Sequence, residues 1–284
     1  MEYPLLDLEL AREIELAEAA AAVAGAEVMK SMQPETDCAV EAIGGGYAVY
    51  CGPGSPVTQA VGLGLSDEVT AEEFDQLEQF YFSRGEAVRV ETCPLADQSL
   101  IEFYKERGYF VSEFTNVMLR PVELSEQQPK AGMSNTNGVQ VRTVPRGEVD
   151  LWTLTVAQGF SEHFPVTQEI LSVMKMFALG KNTQCLLATV DGRVAGGATL
   201  AVRGRIAGFF GASTLPDFRK RGVQTALLHA RLELAAGAHC ELAVSLARPG
   251  SQSERNITRQ GFRCLYTRTK FERNVPKEFE RKIS

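Results

Sequence analysis

No apolar run in this 284-residue chain approaches the roughly 18–20 residues that a membrane-spanning helix needs. A helical membrane protein is therefore excluded. No basic region opens the chain either. "MEYPLLDLELAREIELAEAA" carries acids where a secretory leader needs Lys or Arg, which predicts that the protein is not exported by that route. Positive charge is in deficit, with 29 Lys and Arg against 36 Asp and Glu and a net charge of −7. A nucleic-acid binder presents a basic face, so nucleic acid is not an expected partner. An amine substrate is compatible with this balance, as is ordinary solubility. Cysteine is sparse. Cys38, Cys51, Cys93, Cys185, Cys240 and Cys264 form no CxxC pair and no zinc-ligand spacing. Most lie in apolar, strand-like runs. They read as reduced, buried thiols of a cytoplasmic protein with no metal.

What is present is the composition of a soluble globular protein, 44% hydrophobic and 23% charged. The length suits one large domain or two medium ones. "VELSEQQPKAGMSNTNG" is polar, contains Pro and Gly, and has no apolar period, so it reads as a linker. We expect a first domain at 1–121, a linker at 122–137 and a second domain at 138–284.

The first half opens with an Ala-rich helix over about Leu6 to Met32. The strand-like pieces "CAVEAIG", "YAVYCG" and "TQAVGLGL" follow, with Gly-rich turns between them. "TAEEFDQLEQFYFSRG" predicts a helix with Thr70 and Glu73 as a capping box. A strand "EAVRVETC", a helix "DQSLIEFYKERG" ending on Gly108, and a strand "YFVSEFTNVMLR" complete this half. The second half repeats the order. It has a strand "VQVRTVP", helices around Glu148–Glu162 and Gln168–Leu179, and a three-stranded meander turning at "DGR" and "RGR". A helix from Val223, a strand "CELAVSLA", a helix "SQSERNITRQG" and a strand "FRCLYTRTKFER" follow. The ends of the halves match, each with a helix closed by Gly-aromatic and then an alternating strand, which reads as an internal duplication.

The helix from Val223 places Val223, Ala226, Leu227, Ala230 and Leu234 on one face. Arg219, Lys220 and Arg221 crowd its start. A helix N-terminus is partially positive, and each cation there is unfavourable by ~0.3–1 kcal/mol. The arrangement makes sense if an anion, most simply a phosphate, sits on the free N–H groups. Gly222 removes a Cβ where the guest must approach the backbone, and Arg219 and Arg221 can supply charge-assisted hydrogen bonds. A solvated basic turn without a ligand is the alternative reading of these residues.

In its order of elements the second half, from about Val139 to Arg273, resembles the GCN5-related N-acetyltransferase (GNAT) superfamily. The phosphate loop of that family, Q/R-x-x-G-x-G/A, cradles the pyrophosphate of acetyl-CoA. Arg219-Lys220-Arg221-Gly222-Val223-Gln224 matches it, preceded by "STLPDF" and followed by "SERNITRQGF". Gln224 departs from the pattern, which prefers a small residue there. The resemblance implies the α/β (α+β) class, with two tandem GNAT-like domains, each a mixed, mostly antiparallel sheet flanked by helices. It implies that the backbone of Ala212, Ser213 and Thr214 pairs with the pantetheine arm. Arg219, Lys220, Arg221, Gly222, Val223, Gln224 and Thr225 would hold the pyrophosphate, and Asn256 would lie near the cofactor arm.

The implied reaction is direct transfer of an acetyl group from acetyl-CoA to an amine of a small molecule or peptide. The backbone N–H of Thr214 stands in the family's oxyanion position. The family's usual acid, a Tyr, is replaced here by Ile257, which leaves Tyr266 and Ser253 as candidates. Glu162 and His163 in "FSEHFP" are candidates to bind or deprotonate the amine. The first half does hold a Tyr at the matching place, Tyr104, but no phosphate loop. Asp67, Glu68, Glu72 and Glu73 stand there instead and would repel CoA. That half reads as a non-catalytic copy with a structural Tyr104. Other readings are a transferase for longer acyl-CoA or of the mycothiol-synthase kind, and a CoA-binding sensor without catalysis. A homodimer is compatible with each of them. A scaffold without any ligand would leave the cationic helix start unexplained.

Overall fold

The computed structural model describes residues 2–123, 134–136, 138–161, 165–277 and 279. Most of the expected linker lies outside these residues. The chain folds as two compact units, each discontinuous in sequence. The first takes Pro4–Val117 together with the chain from Cys264 on, and the second takes Met118–Arg263 together with the chain up to Tyr3.

In the first unit, helix α1 (Leu8–Met32) starts at Asp7, whose carboxylate accepts from the Leu10 N–H at 2.8 Å. Strands β1 (Ala39–Ile43), β2 (Gly46–Tyr50) and β3 (Gln59–Val61) lead to helix α2 (Ala71–Phe82). The Thr70 and Glu73 capping box is formed as the sequence predicts. Strand β4 (Val88–Thr92), helix α3 (Gln98–Arg107) and strand β5 (Phe110–Pro121) follow, α3 closing on Gly108 at φ 72°. The sheet runs β1-β2-β3-β4-β12-β5, where β12 is Arg263–Arg273, the last strand of the chain. β3 and β4 are parallel; β12 is antiparallel to β4, with Thr269 opposite Thr92 and Arg273 opposite Val88. Alternation along β12 divides its side chains between two helical layers. Phe271 stacks on Tyr104 of α3 with centroids 4.2 Å apart. On the opposite face, Arg268 donates to Glu15 Oε1 of α1 at 2.7 Å and to Glu18 Oε2 at 2.6 Å.

The second unit holds β6 (Ser134–Thr136), β7 (Val139–Thr143), helices α4 (Val149–Phe160) and α5 (Gln168–Leu179), and β8 (Thr183–Val190). It continues with β9 (Arg193–Arg203), β10 (Ile206–Thr214), helix α6 (Val223–Gly237), β11 (Leu242–Ala247) and helix α7 (Gln252–Thr258). The sheet order is β11-β10-β9-β8-β7-β6, with only β10 and β11 parallel among these pairs. Alternation again sorts the core. Cys185 and Leu187 pack with Trp152 and Val156 of α4, while Leu186, Ala188 and Val190 pack with α6. Each unit is thus a mixed, mostly antiparallel sheet with helices on both faces. Strand β6 stands within the stretch expected to be linker.

Candidate active site

The site forms where two parallel strands part. β10 pairs with β11 from Ile206 opposite Leu242 to Phe209 opposite Ser245, and no further. Ser245 Oγ donates to Phe209 O at 3.2 Å at that last rung. Beyond it β10 stays with β9 but bulges between Phe210 and Ser213. The Thr199 hydroxyl donates to Phe210 O at 2.6 Å, and Gly211 takes the left-handed φ of 57°. A bulge adds local bend and twist, which turns the end of β10 away from β11. Among the described residues, the β11-facing edge of Ala212, Ser213 and Thr214 is left without strand partners. Their side chains are otherwise engaged. Ala212 packs on the α6 core, and the Ser213 hydroxyl donates to Val156 O at 3.0 Å. Successive N–H groups of a strand point to opposite edges. The Leu215 N–H reaches Ala195 O of β9 at 2.9 Å, so that of Thr214 points to the edge β11 has left.

Beyond the 3-10 turn Pro216–Phe218 lies the cationic loop. Lys220 and Gly222 are left-handed, at φ 61° and 81°. They flank Arg221, and Gly222 leads directly into the first turn of α6, whose leading amides have no partner within the helix. α6 has no side-chain cap and no acid in its first turn. A Cβ placed on Gly222 would meet nothing within 4 Å. The space in front of the helix start is open to a guest and would be narrowed by any side chain. A cradle of helix-start amides and guanidinium groups is chemically suited to the oxygens of a diphosphate. The contrast with α2 is chemical. There Thr70 Oγ1 accepts from the Glu73 N–H at 3.2 Å, Glu73 Oε2 accepts from the Thr70 N–H at 2.9 Å, and Glu72 adds a second acid. The loop before α2 is closed as well, with Gly64 N–H on Gly44 O and Arg12 Nε on Leu65 O, each at 2.8 Å.

The structure brings several expected site residues together. Ala212–Thr214 lead into Arg219–Thr225, and Asn256 of α7 joins them by donating from Nδ2 to Gln224 Oε1. Gln252 Nε2 holds the other end of Asn256 at 2.7 Å. Gln224, where the family pattern has a small residue, is therefore tied back by α7. Ser253 is exposed at the start of α7, and Ile257 is buried in the α6 core. Glu162 and His163 lie outside the described residues. Tyr266 lies in the first unit, where its hydroxyl donates to Glu15 Oε1 at 2.6 Å. Burial, and then the charge of Glu15, push the Tyr266 hydroxyl far above its ordinary pKa. Tyr104 is fully buried, with its hydroxyl 2.9 Å from Thr92 Oγ1.

Sequence reading missed three contributors. Asp191, in the β8–β9 turn, accepts from Arg221 Nη2 at 2.8 Å. Phe218 carries the guanidinium of Arg193 at 5.2 Å and that of Arg221 at 5.9 Å. Arg231 of α6 is buried over the Phe209 ring at 4.7 Å and donates to Thr199 O at 3.4 Å, beneath the point where the bulge begins. Burial pulls its pKa down to about 9. Five of the six cysteines are buried, Cys264 is exposed, and all are free thiols. No helix among the described residues is long and apolar enough to cross a membrane, and no group of three or more His, Cys, Asp or Glu among them could hold a metal ion.

Residues 150–262, within the second unit, match the acetyltransferase (GNAT) family model. Over 91% of this chain and 95% of the other, the fold is similar to that of a GCN5-related N-acetyltransferase from Kribbella flavida, with a TM-score of 0.63 at 13% identity. It is also similar to a tandem GNAT protein from the clavulanic acid biosynthesis pathway, over 84% of this chain and 79% of that one, with a TM-score of 0.55 at 14% identity. No curated protein matches the chain. Identities this low speak for the fold alone, and the family model speaks for residues 150–262. Residues 150–262 thus carry the match to the GNAT acetyltransferase family, and the chain as a whole has a fold similar to that of tandem GNAT proteins.

Proposed function

We propose that the second unit transfers an acetyl group from acetyl-CoA directly to an amine of a small molecule or peptide. The observation that carries this reading is the parting of β10 from β11 beside an uncapped, cationic helix start. The pyrophosphate sits on the amides and cations of Arg219–Thr225. The pantetheine amides pair with the free edge of Ala212–Thr214, and the amide pair of Gln224 and Asn256 borders the arm. The amine nitrogen attacks the thioester carbonyl, a C–N bond forms, and the C–S bond breaks. The Thr214 N–H stabilises the oxygen that becomes negative in between. The ammonium proton leaves to a base, for which Glu162 is the candidate. The thiolate takes a proton from Ser253 or from water. Tyr266, bound to Glu15, is not part of the proposal. The first unit, whose α2 start is capped and acidic, serves as a non-catalytic copy. Free thiols suit a reducing compartment, and we place the protein in the cytoplasm.

One observation favours a second reading. Ile257 fills the place of the family's acid with a buried side chain, as in a CoA-binding sensor that has lost catalysis. Calorimetric titration of wild type and Gly222→Glu with acetyl-CoA and CoA tests the site. Micromolar binding by wild type, lost in a variant with unchanged circular dichroism, is the expected result. No binding by wild type removes both readings. Binding without turnover across a panel of amines assigns the sensor.

A further inference from the structure

Arg221 is the cation closest to the start of α6 in sequence, and a carboxylate already holds it. Asp191 Oδ2 lies 2.8 Å from Arg221 Nη2. Asp191 and Gly192 make the turn between β8 and β9, both left-handed, at φ 52° and 73°. Such a hairpin turn accepts Asn-Gly as readily as Asp-Gly. The fold therefore uses the tolerance of this residue for a positive φ and has no use for its charge. The ion pair adds little stability, because the Asp191 side chain is 75% exposed and the Arg221 side chain 45%. Phe218 confines the pair. Its ring takes Arg221 at 5.9 Å and Arg193 at 5.2 Å, which keeps the Arg221 guanidinium on the side of the turn.

We propose that Asp191 is a charge brake on the phosphate loop. It occupies Arg221 while no ligand is bound and competes with the diphosphate for the guanidinium. This sets the affinity for a CoA ester below what the loop cations alone would give, and so hastens release of CoA as product. The proposal rests on the acyl-CoA reading of the site.

The test is calorimetric titration with CoA of wild type, Asp191→Asn, Arg221→Gln and the double variant, at low and high salt. Asp191→Asn keeps the turn and removes the charge. At low salt it should bind CoA about 3- to 10-fold more tightly than wild type. The gain should fall below about twofold near 1 M salt, where the screening length is about 3 Å. A merely structural role of Asp191 would not show that dependence. With Arg221→Gln as the starting point, Asp191→Asn should change affinity by less than about twofold, because the competition has lost its object. Equal or weaker binding by Asp191→Asn overturns the brake. So does an equal gain with and without Arg221. Either of these results leaves the CoA site standing if wild type binds CoA. Failure of every protein to bind CoA removes the site and the brake together.

Discussion

Replacing Arg268 with Met should destabilise the first unit, and by an amount that depends on pH. Arg268 and Glu15 are both fully buried. Burial raises the Glu15 carboxyl above its ordinary pKa, against the pull of Arg268. Burial also works against the Arg268 charge, but Glu18 and Glu15 outweigh it and hold that guanidinium well above its ordinary value. Met fills the volume and strands the Glu15 carboxylate in a medium where an unpaired charge is unfavourable. The carboxylate escapes by taking a proton. From its ordinary 4.5 to pH 7 that costs at most about 3.4 kcal/mol, at 1.36 kcal/mol per pH unit. Lost hydrogen bonds add about 1 kcal/mol. The total of about 3–5 kcal/mol is the range found when one partner of a buried pair is removed. A group whose folded pKa is raised contributes stability below its unfolded pKa and loses it as pH rises through the folded value. Removing Arg268 raises Glu15 further, so both proteins weaken alike just above 4.5, and the variant loses ground to wild type once the pH passes the already raised wild-type value of Glu15. Urea titrations followed by circular dichroism near pH 5.5 and 7.5 should differ in ΔΔG by up to about 2.7 kcal/mol, the smaller penalty at the lower pH. Arg268→Met with Glu15→Leu should recover much of the loss. A penalty under about 1 kcal/mol near pH 7.5, or one that ignores pH, would refute the reasoning.

Gly197→Ala should cost about 1–3 kcal/mol and shift the emission of the single Trp, because a Cβ there falls 2.9 Å from Trp152 Nε1 and 2.8 Å from Val156 Cγ2. An unchanged melting temperature and spectrum would count against that packing. Ellman titration of the native protein should show Cys264 reacting fast and the five buried thiols released only on unfolding, since access governs thiol reaction. A burst of two or more thiols contradicts the burial. Tyr104→Phe should lower stability by about 1 kcal/mol through the lost bond to Thr92 and leave CoA affinity unchanged. Weakened CoA binding would give the first unit a part in the site.

Local signals were legible in the sequence where one short stretch contains the whole cause. The capping box at Thr70 and Glu73, the Gly108 stop and the span of α5 are set within a few residues, and all stand as read. The cationic start of α6 was legible for the same reason. What the sequence concealed depends on partners far along the chain. β12 reads as the last strand of the second half, yet it lies beside β4 in the first unit, because strand pairing is chosen by tertiary packing. A trace of this was present. Tyr266, Arg268 and Lys270 alternate along one face of β12, and a polar inward face asks for charged partners such as Glu15 and Glu18. Asp191 was legible as a turn residue. Its reach to Arg221, thirty positions on, was not.

The starts of α2 and α6 occupy the same place in the two units, each on a crossover between parallel strands, and they solve the same physical problem in opposite ways. A helix N-terminus leaves its first amides without internal partners. α2 satisfies them with Thr70 and places Glu72 and Glu73 against the dipole. A cap is worth about 0.5–2 kcal/mol and each acid about 0.3–1 kcal/mol. α6 forgoes both, and the cations before it add repulsion. Stability alone would not favour that choice, whereas a bound diphosphate reverses it. A ligand at a hundred times its Kd adds about 2.7 kcal/mol. Hydrogen exchange reads the difference directly. Without ligand the amides of Val223, Gln224 and Thr225 should exchange much faster than that of Glu73, which Thr70 already holds. With CoA the three α6 amides should slow by tenfold or more, and the α2 start should not change. Equal protection at both starts without ligand would mean that α6 satisfies its own amides, and the anion would lose its reason to be there.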